Sequence, residues 1–292
     1  MPSNASAPPA DEREIHVRNL RFEFDPQRVG SWHPRGAHVA HWFDVWSLFF
    51  PAGEAFFIES VRRFEDQIRS PTLRLQVRQF ISQEAIHGRE HHFYNALLQE
   101  AGLPARYLAK RVQNLLAWLA KRASASTQLA VTVALEHITA ISADAVLSDE
   151  RLLQACDPDY AALWWWHAIE ETEHKAVAFA VYEEVNAADW LRYARRVGAM
   201  AVISSVLAAA ALAFHLILVA RAGRLTDLRG WRKLLGFLFV EPGMLRGALR
   251  RYLDYFRWHF HPWQYDNYHK VAHWTSFKLP SDTAIIRPTP AR

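Results

Sequence analysis

The sequence predicts an all-α protein. Three observations lead there. Glycine is scarce, with 11 residues in a chain of 292. Strand-like alternation is confined to short runs, while long stretches carry helical periodicity. Helix start and stop signals punctuate those stretches. With 51% hydrophobic residues the chain can bury a sizeable core, in one large domain or two small ones.

Taken in order, "MPSNASAPPADE" reads as a disordered tail extending to residue 17. "REIHVRNLRFEFD" alternates and reads as an extended arm or edge strand. Pro51 suits a first helical turn, so a helix is expected from there to about Arg69. Ser70–Pro71 marks a turn, and a long helix follows from Thr72 to about Ala101, closed by "AGLP". Helices are expected over 105–122 and 125–148. Asp157 and Pro158 then provide an N-cap and first-turn residue for a helix that runs to about Glu184. Val197 to Ala220 is 24 residues without a formal charge, long enough to span a membrane but equally readable as a buried helix or the arm of a hairpin with "WRKLLGFLFV". An amphipathic helix and an aromatic-rich turn complete the region 191–278, and 279–292 reads as a loose tail.

Net charge is +4, carried mostly by scattered arginine. Clusters at Arg192, Arg195, Arg196 and at Arg221, Arg224, Arg229, Arg232 flank the apolar stretch, which points to an anionic membrane surface as a partner. No nucleic-acid-binding pattern is present. The single cysteine, Cys156, fits a reducing compartment, and no secretory signal is visible at the start. The expectation is a cytoplasmic protein, with attachment to the inner membrane face as an option.

The chemistry is concentrated in "WWWHAIEETEHKAV". On a helix His167, Glu171 and His174 fall at about 0°, +40° and −20°, one narrow stripe, while Glu170 and Glu173 rotate away by roughly 60° and 120° and read as flanking or solvent-facing. "FISQEAIHGREHHF" places Glu84, His87 and His91 on another stripe. Glu136 stands alone in "LAVTVALEHITAI", and "FFPAGEAFFIESV" offers Glu54 and Glu59. The chain therefore reads Glu, Glu-x-x-His, Glu, Glu-x-x-His. The intervals from Glu54 to Glu84 and from Glu136 to Glu171 are 30 and 35 residues, each close to one helix, a turn and one helix back. Antiparallel neighbours would bring all four groups to one height.

Four carboxylates in an apolar interior repel one another and resist ionisation. Two divalent cations remove that cost, since four glutamates supply about −4 against +4. Oxygen and nitrogen donors without thiolate favour iron, with manganese or zinc as alternatives. The expected ligands are Glu84, His87, Glu136, His167, Glu171 and His174, with Glu54 or Glu59 from the first of the four helices. His91, Gln83, Asp44 and Asp144 are candidates for supporting the histidines. Helix-length matching favours Glu59 over Glu54. His215 reads as a core residue, and His259, His261, His269 and His273, interleaved with tryptophan, as packing.

The order of these motifs resembles the ferritin-like di-metal carboxylate proteins. His167, four residues before Glu171, resembles the third histidine of arylamine N-oxygenases. From about Arg18 to Trp274, through "FPAGEAFFIESVRRF", "FISQEAIHGREHHFYN" and "WWWHAIEETEHKAVAF", the chain is similar to a bacterial family catalogued as predicted metal-dependent hydrolases. The resemblance implies a ferritin-like four-helix bundle over 18–190 with additional C-terminal helices, and it selects Glu54 over Glu59. Three functional expectations are carried forward. The first is a dinuclear enzyme that activates oxygen on a lipophilic small-molecule substrate, with electrons from a separate donor. The second is a hydrolase that uses the metals as Lewis acids to generate hydroxide. The third is a non-catalytic, membrane-associated helical protein, which would carry no stoichiometric metal.

Overall fold

The structure is a computed structural model that describes residues 13–187, 189–278 and 285–286. The expected tails over 1–12, 279–284 and 287–292 lie outside these residues. The protein is all-α: α1 (Ala37–Arg62), α2 (Pro71–Glu100), α3 (Ala105–Arg122), α4 (Ala125–Ser148), α5 (Pro158–His174), α6 (Val177–Val185), α7 (Trp190–Arg221), α8 (Leu228–Phe239), α9 (Met244–Asp254) and α10 (Tyr268–Lys278). A two-residue antiparallel pairing of Val17–Arg18 with Ile285–Ile286 is the exception among the described residues.

α1 packs on α2 and α4 on α5, and contacts between α1 and α4 and between α2 and α5 close the bundle. The first pair is antiparallel, because Ser47 meets Asn95 while Pro51 approaches Gly88. α3 lies along α1 and α2, and α7 packs across α1 and α4. Helices α8 and α9 then return over α1 and α4, and α10 covers α5.

Local signals set several boundaries. Ser70 caps α2 by accepting from the Leu73 amide at 3.2 Å, and Pro71 follows it. Ser124 caps α4 and Asp157 caps α5 in the same way. Gly102, at φ +87°, ends the connection out of α2 in a conformation that a side chain would resist.

Three expectations are corrected. The first helix starts at Ala37 and ends at Arg62, so Pro51 sits inside it rather than at its start. A proline there frees the carbonyl four residues back. That carbonyl belongs to buried Ser47 and accepts a bond from Asn95 Nδ2 at 2.9 Å, so a side chain of α2 replaces the missing donor. The last bundle helix divides after His174 into α5 and α6, with no glycine or proline to announce the break. The N-terminal tail stops short of residue 17: Ile15 and Val17 are buried in the core, and Arg13 stacks on Trp263 at 3.8 Å.

Among the described residues, two helices are long and apolar enough to cross a membrane. In α4 the apolar window is 78% buried, so the core accounts for it; in α7 the figure is 28%, and the core does not. Val202, Val206, Leu212 and Leu216 of α7 are exposed, as are Leu115 and Trp118 of α3, and Val206 and Leu115 line one cavity. His215 is buried among the rings of His38, Trp42 and Trp231, as a core residue would be.

Asn95→Leu removes the donor that replaces the one Pro51 lacks. Leaving the buried Ser47 carbonyl unpaired is expected to cost about 1–3 kcal/mol, read as a lower urea midpoint with an unchanged slope.

Candidate metal centre

Each bundle helix delivers its polar groups to one level. α1 presents Glu54, α2 presents Glu84 and His87, α4 presents Glu136, and α5 presents His167, Glu171 and His174. All seven side chains are buried. Glu59, the competitor of Glu54, is exposed and pairs with Arg62 at 2.9 Å. One helical turn and a bit separates the two glutamates, which puts them on different faces of α1.

The donors fall into two groups. Glu54, His87 and His167 bring ligand atoms within 4.8 Å of one another, and so do Glu84, Glu171 and His174. That separation is close to the span of about 4–4.4 Å across one ion with ligands at about 2.0–2.2 Å. Glu136 stands beside the second group, its Oε2 3.6 Å from His174 Nε2. His174 Nε2 is also 3.0 Å from Glu84 Oε1 and 3.6 Å from Glu171 Oε2, and His167 Nε2 is 3.1 Å from Glu171 Oε1. Glu171 therefore faces both groups.

The inward atoms lack hydrogen-bond partners. Both oxygens of Glu54, Glu84 and Glu136, Glu171 Oε2, His87 Nδ1, His167 Nε2 and His174 Nε2 are buried without one. Buried polar atoms are normally satisfied. So dense a group of exceptions among grouped metal-ligating side chains fits bound metal. The electrostatics agree. Burial first, and then repulsion from Glu84, hold the Glu54 and Glu136 carboxyls well above the usual carboxylate range. Burial also opposes ionisation of Glu171, but His174 and His167 draw it well below that range. Burial, then His167, push the His87 imidazole down to about 3, which keeps it neutral as a ligand requires.

The outward nitrogen of each histidine is fixed by a protein partner. His87 Nε2 meets Glu170 Oε2 at 3.0 Å, His174 Nδ1 meets Gln83 Oε1 at 2.8 Å, and His167 Nδ1 meets His91 Nε2 at 2.9 Å. Such contacts set the ring orientation and leave the other nitrogen free to ligate. His91 continues to Ser47 Oγ at 2.9 Å, and Ser47 to Asn95 Oδ1 at 2.9 Å. The residue that compensates Pro51 thus also anchors the line to His167.

Gln83 and His91 fill the supporting roles expected of them. Asp44 and Asp144 do not: Asp44 binds His41 and Tyr94, and Asp144 binds Asn267 and Lys270, away from the donor groups. For Glu170 and Glu173 the solvent-facing alternative is corrected and the flanking one stands, since neither faces solvent. Both are fully enclosed because the N-terminal arm lies over α5 and inserts Arg18, whose Nη1 is 3.2 Å from Glu170 and whose Nη2 is 2.7 Å from Glu173. Glu173 also accepts from Gln83 Nε2 at 2.9 Å. The i,i+3 spacing of the two glutamates was visible, but nothing local joined them to an arginine some 150 residues upstream.

Gly88 is a further residue the motif reading passed over. A Cβ there would lie 2.9 Å from Glu54 Oε2 and 3.8 Å from the Pro51 Cα. Only glycine lets the Glu54 carboxylate lie against α2. Aromatic rings complete the enclosure. Phe50 stacks on His167 with centroids 4.4 Å apart, Trp166 meets His87 edge-on at 4.7 Å, and Phe80 meets His174 at 5.0 Å. Trp165 turns the other way and stacks on Trp274 at 4.2 Å.

Buried carboxylates and imidazoles grouped for metal, held by outer partners inside a helical bundle, define a metal-dependent class of protein. The chain belongs to the family described as predicted metal-dependent hydrolase, which matches residues 16–266. No curated protein and no solved structure matches the chain.

Two outcomes follow from this geometry. His91→Phe and Gln83→Leu are each expected to weaken metal binding about 10–100-fold, read by competition with a chromogenic chelator, whereas Glu59→Ala should leave it unchanged. Arg18→Met leaves two buried carboxylates without their cation and should cost about 3–5 kcal/mol in denaturant unfolding.

Proposed function

We propose that the protein is a metal-dependent hydrolase whose centre holds two divalent cations and acts on a lipophilic small molecule. The observation that carries the metal is the convergence of seven buried donors whose inward atoms have no other partner. Glu54, His87 and His167 would hold one cation. Glu84, Glu171 and His174, with Glu136 beside them, would hold the other. When bound, such ions act as Lewis acids that polarise a carbonyl or acidify water. The family description supports hydrolysis over oxygen activation.

The chain's own contribution is placement and exclusion of water. Glu170, Gln83 and His91 orient the imidazoles. The rings of Phe50, Phe80 and Trp166 pack against them and keep the local dielectric low. A small pocket of about 40 Å³ touches His167 and Glu171, and its other walls are mainly apolar, including Phe43, Trp46, Phe50 and Trp164. Such walls suit a substrate with little polarity beyond the reacting group. The uncovered apolar flank of α7, between arginine clusters, supports work at the inner face of the cell membrane in the cytoplasm.

A second reading, oxygen activation, is favoured by the donor set itself. Carboxylate and imidazole without thiolate suit iron or manganese more than zinc. Electrons would then come from a separate protein partner.

Metal analysis and turnover separate the readings. The purified protein should carry about two metal equivalents per chain, the stoichiometry of a bundle with paired Glu-x-x-His motifs. After chelation, zinc or manganese should restore hydrolysis of p-nitrophenyl alkanoates with no reductant, and Glu171→Ala should lose both metal and activity. Turnover that requires iron, dioxygen and a reductant would replace hydrolysis by the second reading. Absence of stoichiometric metal would remove both.

A further inference from the structure

A larger cavity of about 170 Å³ lies between α1, α3, α4 and α7. Its inner wall includes Phe50, Gly53 and Phe57, which surround Glu54 in the α1 sequence, and Leu135 and Thr139, which surround Glu136 in α4. Its outer wall includes Leu115 of α3 and Val206 of α7, both exposed, so the mouth is on the uncovered apolar flank. Trp46, Phe50 and Thr139 line both this cavity and the 40 Å³ pocket at His167 and Glu171. The two spaces therefore adjoin across these three side chains, one reaching the α3–α7 flank and the other the candidate metal centre.

The interior offers almost nothing to a polar ligand. Arg111 is the one charged side chain in the wall, and it is turned to Tyr107, donating to its hydroxyl at 2.8 Å with the guanidinium 4.8 Å from the ring centre. Thr139 donates its hydroxyl to the Glu136 carbonyl at 3.0 Å, so that donor is already used. In size the cavity matches the engineered apolar cavity of about 150 Å³ that stays dry and takes up benzene. The inner pocket, at 40 Å³, has room for about three water-sized groups where one needs roughly 10–15 Å³. Only a slim group can occupy both.

We propose that this cavity is the substrate chamber of the metal centre, that it takes a single unbranched hydrocarbon chain entering from the α3–α7 flank, and that Phe50 and Trp46 select against wider molecules at the constriction before His167 and Glu171. The proposal rests on the metal-centre reading for its purpose and on the cavity alone for its ligand. Phe50 is the positioning residue. Its ring is stacked on His167, so an incoming chain that displaces Phe50 also bears on that imidazole.

Binding to the full-length protein, metal-loaded and chelated, tests it. The probes are dodecanol, cyclododecanol and a dodecanol brominated at its far end, with quenching of tryptophan fluorescence by the bromine as the reporter, since Trp46 lines both spaces. The linear probes should bind at one site and the brominated one should quench. Leu207→Trp fills the chamber and should weaken binding about 10-fold or more, the scale of overpacking an apolar site, with metal content unchanged. Ala117→Trp, on the exposed side of α3, should leave binding intact. Phe50→Ala should admit cyclododecanol, which wild type excludes. If Leu207→Trp fails to fold by circular dichroism, Ala210→Leu carries the same test at smaller volume. Equal binding by wild type and the filled variants, or equal affinity for the cyclic and linear alcohols, overturns the chamber. Chain binding without stoichiometric metal leaves the chamber and removes the enzyme reading; metal without chain binding does the reverse.

Discussion

Burying four glutamates at one level of an apolar bundle is the constraint on which the rest of this structure depends. Each carboxylate removed from water costs free energy unless something opposite in charge replaces the water. Here three imidazoles and one another are the nearest neighbours of those carboxylates. The result is a set of groups pulled in opposite directions, with Glu54 and Glu136 held towards the neutral acid and Glu171 held as the anion against His174. A bundle of this kind keeps such a cluster only if its surroundings are rigid and if cations settle the charge.

Rigidity is supplied by a second layer of buried polar contacts that runs through distant parts of the chain. Arg18, from the N-terminal arm, binds Glu170 and Glu173, and Glu170 in turn holds His87. On the other side, His167 is tied through His91 to Ser47 and Asn95. The same Asn95 repairs the backbone where Pro51 interrupts α1, one turn before Glu54. Backbone irregularity and site geometry are thus settled by the same side chains.

The apolar content of α4 and α7 has two different explanations. α4 is apolar because it is the core, and it places Glu136 there. α7 is apolar on the side that the protein leaves uncovered, next to the mouth of the 170 Å³ cavity between α1, α3, α4 and α7. The chain-like substrate proposed for the cavity would give that exposed surface a purpose which packing alone does not.

The sequence by itself determined the helical class, the boundaries of α3 and α4, and the four stripes of donors, because helical periodicity and capping are local and a Glu-x-x-His pair shares a face whatever surrounds it. It did not choose between Glu54 and Glu59 by spacing, because both stand in one apolar stretch of sequence and only packing decides which face of α1 is covered: Glu54 is buried against Gly88, and Glu59 is exposed beside Arg62. It left Glu170 and Glu173 as flanking or solvent-facing, because rotation about a helix says which way a residue points and not what lies over it. Tertiary structure alone decided that an arginine arm covers them, that Pro51 sits within a helix, and that the donors divide into two groups. Those outcomes depend on contacts between residues far apart in the chain, and no local rule encodes the partner that arrives from elsewhere.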